Sequence, residues 1–190
     1  MGYELVVVGT SWGGLSALRE LIRHLPRTLG VPVVIVPHRH RESDDLTPLL
    51  QDATPLPVRE VEDKAPITTG AIHVAPADYH LLIENGFFSL STDAPVRYSR
   101  PSIDVTFVSA ADAYADRSVG VILTGANADG AQGLQRIAER GGLAIVQTPA
   151  TAESPAMPDA ALRSVPGARV LTLEEIASTL GHLPRDGGSL

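Results

Sequence analysis

Short apolar runs rich in Val, Ile and Leu recur along the chain, at residues 5–8, 33–36, 71–75, 119–123, 143–146 and 170–171. None of them alternates with polar residues. Runs of this kind suit strands covered on both faces, as in parallel sheets. Between several of them the period changes. Leu15, Leu18, Leu21, Ile22 and Leu25 recur at helical spacing, as do Leu134, Ile137 and Ala138, and then Leu173, Ile176, Ala177 and Leu180. Gly30 after the first of these helices and Gly141-Gly142 after the second read as helix stops. Strand and helix in alternation predict βαβ units, hence an α/β fold with a doubly wound, mostly parallel sheet and helices on both faces. One stretch breaks the rhythm. Residues 80–84 and 88–91 flank Asn85-Gly86, which predicts one antiparallel hairpin near a sheet edge. Residues 92–101 read as a loop, and 184–190 (Pro-Arg-Asp-Gly-Gly-Ser-Leu) as a disordered tail.

The 190 residues suit one ordinary domain, here residues 1–183, with no repeat and no second domain in the pattern. A chain of this size buries about 70% of its unfolded surface, enough for a real core. With no Cys, a disulfide framework, Cys-ligated zinc and a cysteine nucleophile are all excluded. The chain carries 15 Lys+Arg against 22 Asp+Glu, so the basic footprint of a nucleic-acid binder is missing. Aromatics at 4% also argue against a base-stacking platform. Glu4 stands where a signal peptide would be positive, and Val6 breaks a myristoylation motif. No apolar stretch approaches the ~18 residues of a membrane span. The expectation is a cytoplasmic protein without membrane insertion.

In open α/β sheets, ligands bind outside the carboxyl ends of the strands. Three of the predicted strands run directly into reactive groups. Residues 5–8 lead into Gly9-Thr10-Ser11-Trp12-Gly13-Gly14, residues 33–36 into Pro37-His38-Arg39-His40-Arg41, and residues 119–123 into Thr124-Gly125-Ala126-Asn127-Ala128-Asp129-Gly130. A serine, a histidine and an aspartate are the nucleophile, base and orienting acid of a hydrolytic triad.

Gly9-Thr10-Ser11-Trp12-Gly13 fits G-x-S-x-G, a tight strand-to-helix turn that exposes the serine oxygen. The helix that follows would aim free N–H groups at a developing oxyanion. The plainer alternative is a Gly-rich turn whose serine caps that helix. A dinucleotide fingerprint fails because Ser11 stands at its second glycine, and no Gly-Lys-Ser/Thr triplet supports a P-loop. His38 is the candidate base. His40 is the fallback, and His24, His73 and His80 compete. Asp129 is the candidate orienter, bracketed by Gly125 and Gly130, and it too could be a helix cap or an Asp-Gly turn. Asp104, Asp112 and Asp78 compete with it. The order Ser…His…Asp differs from the Ser…Asp/Glu…His of common α/β-hydrolases, but triads recur on unrelated folds.

Five segments, in order, now carry a resemblance. They are Gly9-Thr10-Ser11-Trp12-Gly13-Gly14, Val36-Pro37-His38, Ala75-Pro76-Ala77-Asp78-Tyr79-His80-Leu81, Arg100-Pro101-Ser102-Ile103-Asp104, and the run from Leu123 to Ala131, with Met157-Pro158 after them. The chain resembles the catalytic domain of bacterial chemotaxis receptor methylesterases (the CheB type) over nearly its whole length. That family hydrolyses γ-glutamyl methyl esters on receptor helices, releasing methanol, and can deamidate receptor glutamines. The resemblance implies Ser11 as nucleophile, His38 as general base and acid, and Asp129 as orienting carboxylate. It implies a backbone N–H at Ala126 as oxyanion donor, and Arg100 as a substrate-binding candidate. No metal and no cofactor are implied.

The implied partners are methylated chemoreceptor cytoplasmic helices. Many members of the family carry a receiver domain before the esterase, whereas this chain starts on the first esterase strand. The expectation is an excised catalytic domain, or regulation by a separate response-regulator chain. The pocket residues depart from the family pattern. Trp12 stands for a Thr, which makes its indole a second substrate-binding candidate. Pro37 stands for a Gln, Ala126-Asn127 for Met-Gly, and Ser154-Pro155-Ala156 for a Tyr-Gly stretch. Two alternatives stay open: a non-catalytic binding or scaffold module of the same fold, and an esterase or amidase for a non-receptor substrate.

Overall fold

Leu5, Val6, Val7 and Val8 are all fully buried, so the first strand meets apolar neighbours on both of its faces. In the computed structural model, which describes residues 2–38 and 46–183, that strand is central. The elements in chain order are β1 (Leu5–Thr10), α1 (Gly14–Arg23), β2 (Val33–Pro37), α2 (Leu46–Gln51), β3 (Val58–Glu60), β4 (Ile72–Val74), β5 (His80–Ile83) and β6 (Phe88–Ser91). Then follow α3 (Ile103–Tyr114), β7 (Ser118–Ile122), α4 (Ala131–Glu139), β8 (Leu143–Gln147), α5 (Ala156–Ser164), β9 (Arg169–Leu171) and α6 (Leu173–Gly181).

Seven strands form one parallel sheet in the order β3-β4-β2-β1-β7-β8-β9. Val6 and Val8 face Leu18, Leu21, Ile22, Ile176 and Leu180, the apolar stripes of α1 and α6. Leu5 and Val7 face the opposite layer, with Phe107, Leu134, Ile137 and Met157 from α3, α4 and α5. The doubly wound α/β architecture follows from this two-sided burial. The chain leaves β1 for one layer (α1) and leaves the adjacent β7 for the other (α4). The carboxyl ends of β1 and β7 therefore bound a crevice of the kind that binds ligands in such sheets.

Two expectations need correction. The hairpin β5–β6 forms as an antiparallel pair, but it stands as a separate two-stranded sheet rather than at an edge of the main one. It is held by α3: the Thr106 hydroxyl donates to the Leu81 carbonyl at 2.7 Å, and the Ile83 N–H donates to Ser109 Oγ at 2.9 Å. Its apolar residues Leu81, Ile83 and Phe88 join the same core layer as Phe107. The first helix also stops earlier than Gly30, at Arg23. Pro26 is the reason, because it disfavours helical backbone at Leu25 and has no N–H to continue the ladder. The second stop is where the pattern put it: Gly142 N–H bonds the Ile137 carbonyl and Gly141 N–H that of Ala138, which closes α4. The expected tail 184–190 and the fallback base His40 lie outside the described residues. No described helix is long and apolar enough to cross a membrane.

Candidate active site

Strand register brings the first two groups together. Thr10 of β1 pairs with Pro37 of β2, so the next residues, Ser11 and His38, leave the sheet side by side. The hydrogen bonds of the sheet continue past the strands, from His38 N–H to the Thr10 carbonyl and from Ser11 N–H to the Thr124 carbonyl, each at 3.0 Å. Gly13, in the left-handed region at φ 76°, turns the chain from the serine into α1. The N–H groups of Trp12 and Gly13 make no backbone hydrogen bond to another described residue and stand beside the serine at the start of that helix. Ala126 N–H, in the β7–α4 loop, is likewise without such a bond.

Thr124, buried just beyond β7, fastens three loops. Its hydroxyl donates to the Trp12 carbonyl at 2.9 Å and accepts from the Ser154 N–H at 2.9 Å, and its own N–H donates to Gln147 Oε1. The Ser11 turn, the β7–α4 loop and the Ser154 stretch therefore hold a common position.

His38 Nε2 donates to Asp129 Oδ2 at 2.6 Å, across 91 residues of sequence. Asp129 is 1% exposed, and both of its oxygens are saturated. Oδ2 also accepts from Ile103 N–H at 2.7 Å, and Oδ1 accepts from Ser102 Oγ at 2.9 Å and Asp104 N–H at 3.0 Å. These donors form the start of α3, whose positive end faces the carboxylate. Burial alone would raise the Asp129 carboxyl. The hydrogen bond from His38 and the N–H groups of Asp104 and Ile103 outweigh that and hold it below the ordinary carboxylate range.

The rivals weighed in the sequence are each engaged elsewhere. Asp104 lies behind Asp129, where its Oδ1 accepts from Gly130 N–H at 2.9 Å and Gly133 N–H at 2.7 Å. Burial pushes its carboxyl up, the Gly133 N–H works against this, and the charge of Asp129 adds to the rise. Asp112 pairs on the surface with Arg136 and Arg140, and Asp78 pairs with Arg100. His24 bonds the Glu20 carbonyl. His73 is buried in β4 beside Thr68, and His80 bridges Ala94 and Ser102.

A cavity of about 1160 Å³ opens over this cluster, and Ser11, Trp12, His38, Tyr98, Arg100 and Asn127 are among its walls. Trp12 is 66% exposed there, with a free apolar face. Arg100 is committed to its own loop, with Nε and one terminal nitrogen on Asp78 Oδ1 and the other on the carbonyls of Thr92 and Asp93. Two contacts went unread in the sequence. Ser102 and the start of α3 carry Asp129, and the Asn127 carboxamide lies 3.2 Å from His38 Nδ1. The Ser102 cap had a local signal in Arg100-Pro101-Ser102-Ile103-Asp104; the Asn127 contact had none. Among the described residues no group of three His, Cys, Asp or Glu side chains could hold a metal ion.

The family model for CheB methylesterase matches residues 6–180. The chain belongs to the CheB methylesterase family. A protein-glutamate methylesterase/protein-glutamine glutaminase of Carboxydothermus hydrogenoformans is 40% identical over 94% of this chain and 55% of its own length. A Leptospira interrogans relative is 47% identical over 98% of this chain and 97% of its own length. The crystal structure of the Thermotoga maritima CheB methylesterase catalytic domain superposes with a TM-score of 0.89 at 31% identity, covering 95% of this chain and 98% of that one. The α/β fold, with its parallel sheet and separate hairpin, is thus the fold of a CheB-family enzyme.

Proposed function

We propose that this chain is a serine hydrolase that removes methyl groups from γ-glutamyl methyl esters on chemoreceptor cytoplasmic helices. Ser11 is the nucleophile, His38 the base and acid, and Asp129 the orienter. The observation that carries the reading is the 2.6 Å hydrogen bond from His38 Nε2 to a saturated, buried Asp129, with Ser11 on the adjoining strand end.

Because Nε2 is turned to Asp129, Nδ1 is the nitrogen left to serve Ser11. It takes the Ser11 proton as Oγ attacks the ester carbonyl. The tetrahedral intermediate then collapses, and methanol leaves with the proton returned from Nδ1. Water adds to the acyl-enzyme by the same route, which frees the glutamate and restores Ser11. Oxyanion charge falls to backbone N–H groups, Ala126 among them, together with the start of α1. A glutamine side chain would follow the same steps with ammonia as leaving group. Trp12 offers the apolar contact for the incoming helix, and Arg100 shapes the cavity wall. Residues 1–183 form the catalytic unit, which works in the cytoplasm.

Methanol release from methylated receptor, compared between wild type and Ser11→Ala, tests the reading. Loss of the nucleophile should cost on the order of 10³-fold or more. Equal release from the variant would overturn the reading.

A further inference from the structure

The His38 ring has two described partners, and only one of them belongs to the relay above. Asn127 presents its carboxamide to Nδ1, with Nδ2 at 3.2 Å. The amide cannot be the other way round, because its oxygen is occupied: Asp129 N–H donates to Asn127 Oδ1 at 3.0 Å. The NH2 group therefore faces the ring, and Nδ1 accepts with its lone pair. That fixes the proton on Nε2, facing Asp129, in agreement with the 2.6 Å bond on that side.

The lone pair so occupied is the one that must receive the Ser11 proton. Once Nδ1 is protonated, its N–H would meet the N–H of Asn127, donor against donor, and the bond cannot persist. Asn127 is exposed on the β7–α4 loop and lines the cavity shared by Ser11 and His38, so its side chain has room to turn away. We propose that Asn127 is a latch on His38: a positioning residue that holds the base in the neutral tautomer, ready to act, and caps its lone pair until the carboxamide swings out. The inference rests on reading Ser11 and His38 as nucleophile and base. A substrate that offers a carbonyl acceptor to the Asn127 amide would release the latch as it binds.

The test is the rate at which a fluorophosphonate probe labels Ser11 in wild type, Asn127→Ala and Asn127→Gly, with Ser11→Ala as the control. Removing the cap should speed labelling about two- to tenfold, the scale of one neutral hydrogen bond. In the same variants the ¹⁵N resonance of His38 Nδ1 should move toward that of a free imine nitrogen, with Nε2 still protonated. A purely structural role for Asn127 would not produce that change. Labelling at or below the wild-type rate in both variants overturns the latch. No labelling of Ser11 in wild type overturns the nucleophile reading itself, and the latch with it.

Discussion

Ile103 N–H donates to Asp129 Oδ2 at 2.7 Å, the same oxygen that accepts from His38 Nε2. The first turn of α3 and the candidate base thus share one carboxylate atom. Ile103 can sit there because Gly9 and Gly130 have no side chain to obstruct it. A Cβ on Gly130, whose φ is +95°, would come within 2.7 Å of Ile103 Cγ2, and a Cβ on Gly9 would overlap the same atom. The two glycines let α3 press its first turn against both the end of β1 and the β7–α4 loop.

Asp129→Asn should fail on two counts. An amide keeps one acceptor and turns an NH2 group toward backbone donors already facing that position, either Ile103 or Asp104. The mismatch should cost on the order of 1–3 kcal/mol of stability, read by urea denaturation. The imidazole also loses one of the two partners that hold its proton on Nε2, and the negative charge that stabilises the imidazolium. Ester hydrolysis should fall roughly 10³–10⁴-fold, the scale seen when a triad carboxylate becomes an amide.

Ser102→Ala separates support from chemistry. The hydroxyl donates to Asp129 Oδ1 at 2.9 Å and accepts from Val105 N–H at 3.4 Å as the cap of α3. Loss of such a cap typically costs about 1 kcal/mol. Asp129 keeps its bonds from His38, Ile103 and Asp104, so kcat should fall less than about tenfold, the value of one hydrogen bond. Denaturation midpoints and steady-state rates on the same preparation would show the split.

Gly9→Ala should disturb the site from a position that touches no reacting atom. The new methyl overlaps Ile103 and pushes the start of α3 off Asp129. Overpacking of this kind costs about 1–3 kcal/mol. Ile103→Ala in the same chain removes the clashing Cγ2, so the double variant should lose less stability and activity than the two single variants added together, as neighbours that couple directly do. Losses that simply add would place the effect elsewhere.

How far the sequence could be read follows from the same contacts. β1, β2 and β7 were legible because they are apolar on both faces, and the chemistry-bearing loops follow them directly. α3 was not assigned. Its buried positions Ile103, Thr106, Phe107, Ala110, Ala111 and Tyr114 do recur at helical spacing, but Thr106 is polar and apolar Val105 and Val108 lie off that stripe, so the helix shows no clear period in its apolar residues alone. It is sandwiched between the main sheet and the hairpin, which is also why the hairpin sits apart from the sheet edge. His38 stands out from His24, His73 and His80 because it follows a predicted strand directly, but the Thr10–Pro37 register that sets it beside Ser11 is encoded by no local pattern. The Asn127 contact depends on two loops meeting across 89 residues.

His73 should make folding stability depend on pH in a window separate from that of Asp129. Burial lowers its imidazole, the hydrogen bond to Thr68 opposes this, and Arg59 adds to the lowering. Folded His73 therefore stays neutral where the unfolded residue, with an ordinary value of about 6.5, takes up a proton. The unfolded chain binds more protons there, so stability falls as pH drops below about 6.5, by at most ~1.4 kcal/mol per pH unit. Asp129 acts lower. Asp129, held below its ordinary range, contributes stability above about pH 3.9 that is lost as pH falls through its folded value. Asp104, pushed up, has the opposite sign: its contribution is complete below that pH and is lost as pH rises through its own folded value. Urea midpoints at pH 7.5 and 5.5 for wild type and His73→Gln would isolate the histidine. The variant should be less stable at pH 7.5, because it loses the packing against Phe88 with ring centroids 5.0 Å apart, yet lose less on acidification. Equal losses in the two proteins would assign the slope to another group.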